Sequence, residues 1–158
     1  MKKTILTYLL LTTLLICVNL SHAQDRSFSL GTALGGPDGL SYKLWLDDTS
    51  ALTGLVSFAI SEHNSRFYTH LDYHQHKFYD ELDWEEGRVY YYYGGGIGYQ
   101  WLEWSGDDLV TLRLPSGLGF DFHDLPFEGY LELAPTFNIA PEFRFSFVGN
   151  FGFRFYMN

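Results

Sequence analysis

A single cysteine occurs in the 158 residues, Cys17, and it falls inside an apolar N-terminal leader. Once such a leader is removed the chain has no thiol, which excludes disulfides, a thiolate nucleophile and cysteine-held metals. Basic charge is scarce as well: 10 Lys and Arg stand against 19 Asp and Glu, a net charge of −9. With no basic stripe, nucleic-acid binding is not expected, because phosphate contacts need clustered cations. The 18% of charged residues is below the roughly 25% of ordinary soluble domains. The 5 prolines are too few for a collagen-like or low-complexity chain, despite 16 glycines. After Ala23 there is no apolar run of ~18 residues, so no helix is expected to span a membrane. No nucleophile-elbow sequence accompanies a Ser-His-Asp order. What the chain does have is aromatic rings, 14 Phe and 12 Tyr among them.

The leader points to export. Met1-Lys2-Lys3 is followed by the largely apolar stretch Ile5 to Leu20, and Ser21-His22-Ala23 places small residues before Gln24. That is the layout of a secretory signal peptide covering 1–23. A retained membrane helix fits less well, since the run is short and Asn19 interrupts it. Lipoprotein processing at Cys17 would want a small residue where Ile16 stands. Residues 24–158 then form one domain, too short for a second core.

From Ser27 to Met157 apolar and polar residues alternate, as on a β-strand. Over 143–157 one face carries Phe143, Phe145, Phe147, Phe151, Phe153, Phe155 and Met157, and the other Arg144, Asn150, Gly152, Arg154 and Tyr156. Segments 88–102, 108–122 and 127–135 behave alike, and 27–35, 39–47, 51–60 and 66–78 fit with lower contrast. Turn residues separate them, including Gly35-Gly36-Pro37-Asp38-Gly39, Glu62-His63-Asn64, Trp104 to Asp108 and Asn138 to Pro141. The acid-rich stretch 79–87 reads as a solvated loop. The fold predicted is all-β: eight antiparallel strands in an up-and-down barrel.

Strict alternation suits both a membrane barrel and a soluble barrel or sandwich. Three features favour the membrane. The polar face is rich in glycine, which relieves crowding in a narrow lumen. Tyrosine and tryptophan crowd strand ends (Trp45, Tyr68, Tyr99, Trp101, Trp104, Tyr130, Tyr156), as interfacial girdles do. The apolar face is almost uniformly large.

The C-terminal stretch Asn150-x-Gly152-x-x-Phe155-x-Met157 resembles the assembly signal of bacterial outer-membrane barrels, apart from its final Met157-Asn158. Gly36-Pro37-x-Gly39-Leu40-Ser41-x-Lys43 resembles a pattern near the start of a family of small eight-stranded outer-membrane barrels of unknown function. Leu114-Pro115-x-Gly117-Leu118, Phe122-x-Asp124-x-Pro126 and Leu131-Glu132-Leu133-Ala134-Pro135 resemble its later part. The architecture is similar to that of OmpX and OmpA membrane domains. The resemblance implies a transmembrane barrel in the outer membrane and transfers no catalytic residue.

Two groups of residues could carry chemistry. His70-x-Asp72-x-His74-x-His76 places four polar residues on one strand face; lumen lining is preferred to a zinc site, since no second cluster matches it. By alternation Lys43, Arg88, Arg113, Arg144 and Arg154 face Asp72, Asp121, Glu128, Glu132 and Glu142, and an interior of low dielectric demands that they pair. The leading expectation is a non-enzymatic, monomeric outer-membrane barrel with a filled lumen. Its partners would be lipid, the barrel-assembly machinery and an unidentified surface ligand; no metal or cofactor is expected. The alternatives are a soluble periplasmic ligand-binding barrel and a small lipid-modifying enzyme with His63 or His123 as base.

Overall fold

A computed structural model describes residues 27–59, 65–102 and 108–157; the expected signal peptide and the turns at 62–64 and 104–107 lie outside them. The strands are β1 (Phe28–Gly35), β2 (Gly39–Trp45), β3 (Ser50–Ala59), β4 (Arg66–Trp84), β5 (Gly87–Leu102), β6 (Leu109–Arg113), β7 (Ser116–Phe122), β8 (Phe127–Ala140) and β9 (Arg144–Met157). Sequence neighbours pair antiparallel, except β6 with β7, and β1 closes the ring on β9 from Phe28↔Met157 to Gly35↔Asn150. β6 and β7 both lie between β5 and β8. They are two halves of one position, so the ring has eight. The division has a simple cause. Leu114 N donates to Pro135 O at 3.0 Å and Gly94 N to Pro115 O at 2.8 Å, but neither proline has an N–H to return. Both ladders lose a bond at adjacent residues while the alternation continues in phase.

Two expected connections are strand instead. The acidic stretch 79–87 is the tip of a long β4–β5 hairpin, turning at Glu85-Glu86, with a register shift between Phe78 and Asp83. Asp83, Glu85 and Glu86 are exposed, so charge there has no burial cost and the apolar rhythm that marks the other strands is missing. Asn138–Ala140, read as turn, extend β8, with Asn138 opposite Arg144. In the β2–β3 turn, Asp47 Oδ1 accepts the amides of Thr49 and Ser50, each at 2.8 Å, and Oδ2 accepts the Ser50 hydroxyl. These hydrogen bonds hold its pKa down at about 2.

The facing follows the alternation. Phe145, Phe147, Phe151, Phe153 and Phe155 of β9 all lie outward, Phe153 being 55% exposed. Between them Asn150, Gly152, Arg154 and Tyr156 are buried in the lumen. The centre of the barrel is therefore polar, and its surface is a band of large apolar side chains.

Candidate functional site

Cross-strand glycines make room for long lumen side chains. Tyr90 lies opposite Gly119, Tyr92 opposite Gly117 and Tyr130 opposite Gly152. A Cβ at any of these glycines would collide with the tyrosine ring. Gly96 stands between Asp72 on β4 and Arg113 on β6, so those two side chains meet across β5.

Two ion clusters result. In the first, Glu128 Oε2 accepts from Lys43 Nζ at 2.8 Å, Tyr90 Oη at 2.7 Å and Tyr156 Oη at 3.1 Å, and Oε1 accepts from Arg154 Nη1 at 3.0 Å. Arg154 Nε donates to Ser41 Oγ at 2.8 Å, and its guanidinium lies 3.9 Å from the Tyr130 ring centre. Lys43 Nζ sits 3.9 Å above the Trp45 ring. In the second, Arg113 Nε donates to Asp72 Oδ2 at 3.0 Å, Nη2 to Glu132 Oε1 at 2.8 Å and Nη1 to Tyr68 Oη at 3.3 Å. Tyr92 Oη donates to Glu132 Oε2 at 3.2 Å.

With every group in its ordinary ionised form, the first cluster holds two cations and one anion, and the second the reverse. Their excesses cancel along the barrel axis. Between them lies a void of about 10 Å³ that touches both Arg154 and Glu132, with Ser41, His70 and Asn150 in its wall. That is room for one water among polar partners.

The histidines line this interior without converging. His70 and His74 stand 3.6 and 4.0 Å from Asp72 Oδ2, while His76 packs 4.4 Å from Trp45. Among the described residues no group of three His, Cys, Asp or Glu side chains is placed to hold a metal ion. Arg88 pairs with Asp121 at 3.2 Å near the terminal end of the lumen. Arg144 does not join the clusters; it is exposed at the start of β9, beyond the packed section, as is Glu142 just before it. At the C-terminus Asn150 Oδ1 accepts the Gly36 amide at 3.1 Å, Gly152 lies under Tyr130, and Phe155 and Met157 point outward. His63 lies outside the described residues, and His123 pairs with Asp83 at 3.2 Å on the terminal rim.

Trp45, Tyr68, Tyr130 and Tyr156 crowd strand ends as a girdle would, but by alternation they belong to the inward face, and there they lie. Their hydroxyls and rings complete the clusters. The signal was available, because Tyr130 shares its parity with Glu128 and Glu132, and Tyr156 with Arg154. Tyr99 and Trp101 do lie outward. At the end remote from the termini the lumen opens into a vestibule of about 400 Å³, lined by Ser57, Arg66, Tyr68, Gln100, Thr111 and Asn138 among others.

A closed eight-position ring with apolar outside and ionic inside defines a small barrel of the type that bacterial outer-membrane proteins adopt. No family model and no curated protein matches the chain. Among solved structures it is similar to the N-terminal β-barrel domain of Pseudomonas aeruginosa OprF, with a TM-score of 0.55 and 15% identity over 82% of this chain and 95% of that one. A second is Ail, the attachment invasion locus protein of Yersinia pestis, with a TM-score of 0.35 and 12% identity over 80% of this chain and 90% of that one.

Proposed function

We propose that the protein is a monomeric, non-enzymatic barrel integral to the outer membrane, exported by a cleaved signal peptide and serving envelope structure or surface contact. The observation that carries this is the outward band of Phe, Leu, Ile and Tyr around a lumen of buried ionic side chains. In water such a band would promote aggregation, whereas lipid covers it without penalty. Its partners are then outer-membrane lipid and the assembly machinery that inserts such barrels. Carbonate washing of membranes tests the reading: the protein should stay in the pellet and run faster on gels when unheated. Release into the soluble fraction would defeat it.

The first and last strands begin and end, at Phe28 and Met157, on the end of the barrel that bears the β4–β5 overhang. With the termini in the periplasm, Asp83 is periplasmic too. A cysteine introduced there (Asp83→Cys) should resist a membrane-impermeant label in intact cells and react after the outer membrane is permeabilised. Labelling of intact cells would invert the orientation.

The barrel is also expected to be closed to free diffusion. Eight strands leave a lumen that side chains fill, whereas open porins use 16–18, and here Arg113, Lys43 and Tyr90 are almost wholly buried within it. Planar-bilayer recordings of folded protein should show no stable porin-sized steps. Reproducible large conductance would make transport the function.

A further inference from the structure

Among the described residues the barrel wall has a gap beside the vestibule. β1 pairs with β9 as far as Gly35↔Asn150, with one further bond from Gly36 N to Gly149 O at 3.1 Å, and β2 pairs with β3 as far as Leu40↔Val56. Beyond those points β9 continues through Val148 to Arg144 and β3 through Ser57 to Ala59. Among the described residues no strand pairs with those facing edges. The β1–β2 turn thus forms a sill between two taller walls. Three inter-strand spacings of ~4.8 Å separate β3 from β9 there, an opening roughly 14 Å wide.

The two walls are amphipathic across their thickness. Outside, Phe58 on β3 and Phe145 and Phe147 on β9 are 68%, 50% and 61% exposed. Inside, Ser57 on β3 and Ser146 on β9 line the vestibule. The apolar band therefore continues above the sill on both sides, so in a membrane the gap faces lipid.

The vestibule lining holds one cation, Arg66, and one carboxylate, Asp38, and Arg144 adds a second cation just beyond it. Arg66 lines the cavity and is exposed, and Arg144 continues the inward row opposite Asn138, which also lines it. Among the described residues neither arginine has an ion pair. Asp38, on the sill, is the carboxylate in the lining, and its Oδ1 already accepts the Gly35 amide at 2.6 Å. The remaining polar lining, which includes Tyr68, Gln100, Thr111, Thr136 and Asn138, is neutral.

We infer that this vestibule binds the phosphate-bearing headgroup of a membrane lipid that enters sideways over the β1–β2 sill. Guanidinium groups match phosphate oxygens as a two-pronged donor, while the rings of Phe58, Phe145 and Phe147 accommodate the acyl chains outside the wall. A freely dissolved phosphate would have no use for that apolar threshold. The inference rests on the membrane location proposed above.

Native mass spectrometry provides the test. The folded protein is released from phosphatidylcholine nanodiscs containing a minor fraction of phosphatidic acid, and the retained lipid is weighed. One phosphatidic acid should be retained in preference to phosphatidylcholine. Arg66→Gln should lower that retention about tenfold, the effect of losing one charge-assisted contact. Gln100→Trp, which fills the cavity and leaves both arginines, should lower it as well. Equal retention of the two lipids would overturn the inference, as would undiminished retention by Arg66→Gln. Binding of inorganic phosphate at comparable strength would do the same, by making a dissolved anion the ligand. Carbonate release would defeat the membrane reading itself; a membrane-held barrel that retains no phosphatidic acid would defeat only this inference.

Discussion

Replacing Glu128 by leucine is expected to destabilise the barrel by about 3–5 kcal/mol, the range for removing one partner from a buried ionic group. Glu128 is fully buried and is the acceptor for Lys43, Arg154, Tyr90 and Tyr156 together. Without it two cations face each other in the lumen and two phenol hydroxyls lose their acceptor, each loss carrying a desolvation penalty. The double variant Lys43→Met with Glu128→Leu should be more stable than Glu128→Leu alone. It leaves Arg154 as the single positive excess opposite the single negative excess of Asp72, Arg113 and Glu132. Urea unfolding in phospholipid vesicles, followed by tryptophan emission, measures both. If the lysine replacement adds its own cost to that of Glu128→Leu, the two groups are not coupled and the cluster is not the stabilising unit described.

Legibility followed the alternation closely. The facing of β9 can be read directly from Phe143 to Met157, because a strand with different media on its two faces must segregate its residues. Arg113 and Glu132 share a face by parity, but their contact depends on register, which no local signal in either strand specifies. Gly96 is the residue that makes Asp72 reachable from Arg113, and its importance appears only when β4, β5 and β6 are set side by side. The acidic hairpin tip was illegible for a different reason. It is exposed, so no burial constraint imposes a rhythm on its sequence. The inward tyrosines show the opposite limit. A Tyr at a strand end suits an interfacial girdle and a lumen cluster equally by composition, and only its parity with the neighbouring ions separates the two.

Phe153→Arg is expected to cost about 2–4 kcal/mol, the range for arginine near the midplane of a barrel's lipid face. Phe143→Arg should cost about 0–1 kcal/mol, because it lies just before the start of β9, where the side chain reaches the interface. Both phenylalanines face outward, at 55% and 73% exposure, so surface accessibility does not distinguish them. Depth in the membrane does. Phe153 also covers the open position at Gly129, where an added Cβ would come within 3.3 Å of its ring; arginine would keep less of that cover. In water the two substitutions would be nearly neutral, since surface changes away from special features fall within about ±0.5 kcal/mol. The difference between the variants, measured by reversible unfolding in lipid, therefore reports the medium around the barrel as well as the packing of its wall. Equal and small effects at both positions would mean that water, not lipid, covers the apolar band.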